Sequence, residues 1–216
     1  VSPTSAEVNY NATGTFTATV KSGSNASCAG TLTATSASTT YVTVTGGAST
    51  SVTATTAGVG TTITYKGAGY RASATNVAMA FTVTDTTNFN NATAVNFSVT
   101  KVNRIANPTT FTAVTGLKYG DTGAMVTVGS ATGTPYYAVG TELTSSNYSS
   151  SGSTTIPTAS GRNAGTYTVY YYIAAGGNYN EKKGSVSVTI GKATPVITVS
   201  PTSAEVNYNA TGTFTA

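Results

Sequence analysis

The side chains that could do chemistry in this chain are few: six carboxylates, one thiol and no histidine. Without histidine there is no general base for a Ser-His-Asp or Cys-His nucleophile, and no imidazole to ligate a metal. The carboxylates Glu7 (repeated as Glu205), Asp85, Asp121, Glu142 and Glu181 are scattered along the sequence. A glycosidase needs two of them facing each other across a cleft. None sits in a recognisable catalytic motif, and Asp85 and Asp121 fall in predicted turns, where Asp bonds its own backbone. No catalytic or metal-ligating residue and no cofactor is assigned, and the chain reads as a non-enzyme.

Three weaker chemistries each meet a plainer structural explanation. Asp85-x-x-Asn88-x-Asn90 gathers oxygens in a turn, but calcium takes about six to eight, usually several from carboxylates. Lys21, Lys66, Lys101, Lys118 and Lys192 lie near predicted strands among many Asn residues. A Lys–Asn isopeptide bond would also need a buried acid, and lysines at sheet edges more commonly deter strand addition. Cys28 reads as a small buried apolar residue; the alternative is an exposed thiol that crosslinks neighbouring chains. Asn-x-Ser/Thr triplets at Asn11, Asn25, Asn91, Asn96, Asn147 and Asn209 follow from a Thr- and Asn-rich composition, with glycosylation open if the host has the pathway.

The tyrosines offer the best candidate surface. Alternation along Tyr170-Tyr171-Tyr172 puts Tyr170 and Tyr172 on one face, and Tyr136 precedes Tyr137 in another predicted strand. Exposed aromatic rings can stack on sugars or on a neighbouring domain. Packing between domains or chains is the favoured role for Tyr136, Tyr170 and Tyr172, with a glycan as the other partner considered.

The elements that position these residues are strands. Among 216 residues there are 48 Thr and 22 Val but only 3 Leu, and β-branched side chains suit a pleated sheet better than a helix. Ten Lys or Arg against six acids leave a net charge of +4 without a basic cluster. Nucleic-acid binding needs a denser footprint, so it is not expected. No apolar run approaches the roughly 20 residues of a membrane span, so this segment is not expected to insert. Fourteen Tyr and six Phe in alternating runs argue against disorder.

Residues 1–18 and 199–216 read identically, VSPTSAEVNYNATGTFTA, a perfect match at a period of 198. This implies tandem units of about that length, of which the chain holds one and the start of another. A fainter internal echo aligns Asn88-Phe89-Asn90 with Asn178-Tyr179-Asn180, and Val95-x-Phe97-x-Val99-x-Lys101 with Val186-x-Val188-x-Ile190-x-Lys192. Both echoes end at a joint containing Pro, which stops the ladder. The expected division is 1–102 and 103–193 as two domains, with 194–216 beginning the next repeat.

Period-2 alternation marks half-buried strands. Core-facing sets are expected at Phe16-Ala18-Val20, Leu32-Ala34, Val42-Val44, Val52-Ala54, Ile63-Tyr65, Val77-Met79-Phe81-Val83 and Val95-Phe97-Val99. The second domain offers Val126-Val128, Tyr137-Val139, Tyr167-Val169-Tyr171-Ile173 and Val186-Val188-Ile190. Turn signals such as Gly46-Gly47 and Asp121-Thr122-Gly123 recur at roughly sandwich spacing. The fold class expected is all-β, two tandem β-sandwiches per repeat.

Asn163-Ala164-Gly165-Thr166-Tyr167-Thr168-Val169 resembles the approach to the penultimate strand of immunoglobulin folds. There a Tyr, here Tyr167, bonds back across the corner, and Val169 stands where antibody domains carry Cys. Tyr119-Gly120-Asp121, Ala124–Thr132, Thr155-Ile156-Pro157, Asn163–Ile173 and Asn178-Tyr179-Asn180 closing on VSVTIGKA resemble the MBG repeat modules of YGX type. That resemblance covers about 108–193. Residues 1–102 are similar, more loosely, to bacterial immunoglobulin-like domains. The resemblance implies immunoglobulin-like sandwiches in a modular, extracellular, non-catalytic array on bacterial adhesins, stalks or fibres.

The expected function is structural: a tandem-repeat stalk or fibre on or from the bacterial surface, whose partners are neighbouring repeats of the same chain and further copies in a homo-oligomer or fibre. The alternative is an adhesin or carbohydrate-binding module, including one displayed on a phage virion. Because an isolated two-stranded piece is marginal in water, Val206, Tyr208 and Phe214 are expected to bury against something outside 199–216.

Overall fold

The computed structural model describes residues 1–21, 28–45, 47–54 and 58–215. Of the features expected above, Asn25, Gly46 and the side chain of Ala54 lie outside the described residues. The chain is all-β, 48% strand and 2% helix, in several sheets. It divides into two compact units, the first holding 1–109 with 132–134 and 173–182, the second 110–131, 135–172 and 183–216.

The first unit contains β1 (Ser5–Asn9), β2 (Thr13–Thr19), β3 (Gly30–Ser36), β4 (Val42–Val44), β5 (Ser49–Ala54), β6 (Gly60–Gly67), β7 (Thr75–Val83) and β8 (Ala92–Asn103). One sheet has the order β1-β8-β7-β3-β5 and the other β2-β6-β4. β1 runs parallel to β8, and the remaining pairs are antiparallel. Alternation does the folding here. Val77, Met79, Phe81 and Val83 of β7 are buried while residues between them are not, so each sheet presents one apolar face.

Those faces meet in a single core. Phe16 from β2 stacks on Phe97 from β8 with ring centroids 4.3 Å apart, and Tyr65 from β6 lies 4.9 Å from Phe97. The Tyr65 ring needs Gly14 opposite it in the ladder. A Cβ at Gly14 would stand 2.5 Å from that ring. One expected core position departs from the pattern: Val95 is 51% exposed. Val95 stands in regular register opposite buried Met79, on the core-facing side of β8, and is exposed because it lines a groove left open at that end of the core.

The second unit contains β9 (Phe111–Ala113), β10 (Val126–Val128), β11 (Pro135–Val139), a one-turn helix α1 (Tyr148–Ser151), and most of β12 (Gly165–Ile173) and β13 (Lys182–Ile190). β9 pairs antiparallel with β10, and β11-β12-β13 form a three-stranded sheet. Met125, Val126, Tyr137, Val169, Val188 and Ile190 bury together, and Phe111 stacks on Tyr171 at 3.8 Å.

Residues 194–216 carry no strand among the described residues. Their hydrogen bonds are internal: Ser200 exchanges two with Thr215, and Ala210 donates to Asn207. Val206 is 60% exposed and Phe214 70%, and Tyr208 is fully exposed. The expected burial of these three outside their own segment is therefore absent within this chain. Their counterparts Val8 and Phe16 are covered by β8 and β6, and the tail has no such strands beside it.

Candidate interaction surfaces

The tyrosines chosen from sequence come together, but not as an open patch. Tyr172 is 2% exposed. Its face of β12 is covered by the stretch around α1, where Tyr148 stacks on Tyr172 at 4.6 Å and meets Tyr136 edge-on at 4.9 Å. Leu143 of the same stretch is buried. Tyr136 and Tyr170 remain half-buried. The expectation of an exposed Tyr172 is thus corrected, because residues 143–152 fold over it. Tyr148 was missed: a four-residue helix within Ser- and Asn-rich sequence has no apolar period to betray it.

Next to this cluster lies an open cleft of about 490 Å³ lined by Tyr137, Val139, Ser153, Ile156, Thr158 and Arg162 among others. It forms where β11, an edge strand, pairs with Ser153 through Tyr137. The Arg162 guanidinium donates to the Thr158 carbonyl at 3.0 Å and lies 5.4 Å from the Tyr167 ring centroid. The volume falls within the roughly 300–1,000 Å³ of small-molecule sites. Tyr167 itself donates its hydroxyl to the Asn163 carbonyl at 2.9 Å, two residues before fully buried Val169.

In the first unit, the turn 174–181 packs on the end of the sandwich. Tyr70 donates its amide to the Asn178 side chain at 2.7 Å, and Tyr179 meets Tyr10 edge-on at 6.0 Å. Arg104 lies 3.8 Å over the Tyr70 ring and donates to the Gly177 carbonyl. These bonds employ the Asn178-Tyr179 pair singled out from the internal echo.

The carboxylates have local duties. Asp85 accepts the Thr87 and Asn88 amides and the Asn88 side-chain nitrogen, and these bonds hold its carboxyl below the usual aspartate range. Asp121 accepts the Lys118 amide. Both are the backbone-bonding turns expected from sequence. Asn88 donates its side-chain nitrogen to the Asp85 carboxylate at 2.7 Å. Glu7 accepts from Asn103 at 3.1 Å. Among the described residues the buried polar side chains are Thr75, Asn107 and Thr109. No carboxylate occupies the buried position that isopeptide chemistry requires. Burial raises the phenol pKa of Tyr65 and Tyr137.

Cys28 is buried in the first core, as a small apolar residue would be, and is not placed to crosslink chains. Of the Asn-x-Ser/Thr sites, Asn91 accepts the Val83 amide and Asn147 donates to the Glu142 carbonyl, so both side chains are engaged. Asn11, Asn96 and Asn209 are exposed. Among the described residues there is no group of three His, Cys, Asp or Glu that could hold a metal, and no helix long and apolar enough to cross a membrane. A scan against family models and searches of characterised proteins and solved structures give no match.

Proposed function

We propose that this chain is a piece of an extracellular tandem array in which immunoglobulin-like sandwiches, two per 198-residue repeat, serve as a stalk or fibre on or from a bacterial surface. The observation that carries the reading is the duplicated segment. The copy at 1–18 has partner strands and a buried apolar face, whereas the copy at 199–216 exposes the same face. Such a segment makes sense as the opening of another unit. The immunoglobulin-like assignment is supported by the Tyr167–Asn163 bond beside buried Val169 and by opposed apolar sheet faces. Thr-rich outer faces suit lateral cohesion, since exposed hydroxyls already bond across strands at Thr33–Ser51 and Thr166–Thr189. Identical joints would give every repeat the same geometry.

Electron microscopy of the native material tests this. A fibre with one regular axial period of roughly 70–90 Å, two sandwiches in series by strand rise and loops, supports it. Isolated chains without a period contradict it.

The cleft beside Arg162 favours a second reading, a carbohydrate-binding module or adhesin. That reading predicts saturable glycan binding that Arg162→Ala abolishes, and the array reading predicts none.

A further inference from the structure

An apolar groove of about 280 Å³ opens at one end of the first unit. Its floor is core, the buried side chains of Leu32, Met79 and Phe81, and its rim includes Val1, Val20 and the exposed Val95. The volume falls just short of the roughly 300–1,000 Å³ of small-molecule sites, and suits one or two aliphatic side chains.

One wall of the groove is β2, an edge strand of its sheet. Pairing along that edge has already begun: Ser2 and Thr17 exchange hydrogen bonds of 2.8 and 2.9 Å. An antiparallel ladder continues by fixed arithmetic. With Ser2 opposite Thr17, the residue before Val1 falls opposite Thr19, and the one before that opposite Val20. Strand alternation turns the Thr19 amide and carbonyl outward, as it does those of Thr17. Residues opposite Val20 share the face of Phe16 and Ala18, which are buried.

The tail names the residues that would stand there. Val199 is the counterpart of Val1, and Thr194-Pro195-Val196-Ile197-Thr198 leads into it. Val196 and Ile197 are 84% and 81% exposed. We propose that the groove is the seat of residues 194–198 of the preceding repeat. Thr198 there extends the ladder onto Thr19, and Ile197 opposes Val20 and fills the hollow over Met79 and Phe81. The connection between repeats is then a strand of the following sandwich rather than a loose linker. This rests on the tandem reading and deepens it.

The test is the full chain extended at its N-terminus by Thr-Pro-Val-Ile-Thr, compared with the chain as it stands and with the Ile197→Asp version of the extension. The extension is expected to slow Thr19 amide exchange by at least about tenfold. It should also raise the first unit's melting temperature by roughly 4–8 °C, and nuclear Overhauser contacts should join its Ile methyls to Met79. The Asp version should cancel all three. Thr19 exchange and melting unchanged by the extension, or an Asp version that performs as well as Ile, would overturn the proposal. A parent polypeptide whose mass admits one copy defeats the tandem reading instead, whatever the groove does.

Discussion

The same 18 residues occur twice in this molecule and end in different states. At 1–18 they form β1 and most of β2, and bury Val8 and Phe16. At 199–216 the counterparts Val206 and Phe214 stay exposed. What the two copies share is local. Asn11 and Asn209 both adopt the left-handed conformation, φ 63° and 57°, which Asn tolerates better than most residues. Both copies also close the same bridge, Ser2 to Thr17 and Ser200 to Thr215. The turn and the first bridge therefore come from short-range sequence. Strand and core come from β6 and β8, elements about 50 to 90 positions further along. A two-stranded piece alone is marginal, and the tail, with no neighbouring strands beside it, forms no strand among its described residues.

The largest contrast should come from the paired truncations Phe16→Ala and Phe214→Ala. The first removes a ring stacked on Phe97 in the core and should cost about 3–5 kcal/mol in chemical denaturation. The second should change stability by less than about 0.5 kcal/mol, as exposed substitutions do. Equal costs would mean that the tail is packed in solution.

Gly14→Ala and Gly212→Ala sharpen the same comparison. The added methyl at Gly14 meets the Tyr65 ring at 2.5 Å, whereas at Gly212 it meets only Val206 at 3.0 Å. Overpacking at Gly14 should cost about 1–3 kcal/mol, with little change for Gly212, both read from urea midpoints.

Tyr167→Phe removes the hydroxyl that donates to Asn163. It should lower stability by about 0.5–1.5 kcal/mol without moving either copy of the repeated segment.

The smallest effect concerns pH. Hydrogen bonds from Asn88 and Thr87 hold the Asp85 carboxyl below the ordinary 3.8. A depressed pKa in the folded chain means that the ionised form supports the turn. Its contribution is present above 3.8 and is lost as pH falls through the lower folded value. Carboxyl chemical shifts should show a midpoint below 3.8, and protection of the Thr87 and Asn88 amides should persist at pH 4 and fade below that midpoint. A midpoint at or above 3.8 would mean that those bonds do not favour the carboxylate.

Much of the fold was legible because Thr and Val alternate so strictly. Phe16, Leu32, Ile63, Val77 and Val169 all bury as their spacing requires. Tyr167 was legible as well, since its bond is made to a residue four positions back. Less legible were features set by distant contacts. Val95 keeps the right alternation and its register opposite Met79, yet it lines an open groove rather than the closed core. Tyr172 looked like surface until the α1 stretch, whose sequence carries no periodic signal, was seen to cover it. The tail was misjudged for a related reason. Its apolar spacing states which side chains want burial but cannot supply the strands that bury them.

Hydrogen exchange on residues 205–215 tests the account most directly, measured in this chain and in one carrying a further copy of residues 19–109 after Ala216. The account predicts that the tail amides, fast in the first, slow to the rates of their counterparts 7–17 in the second. Tail amides that exchange equally fast in both chains would contradict it.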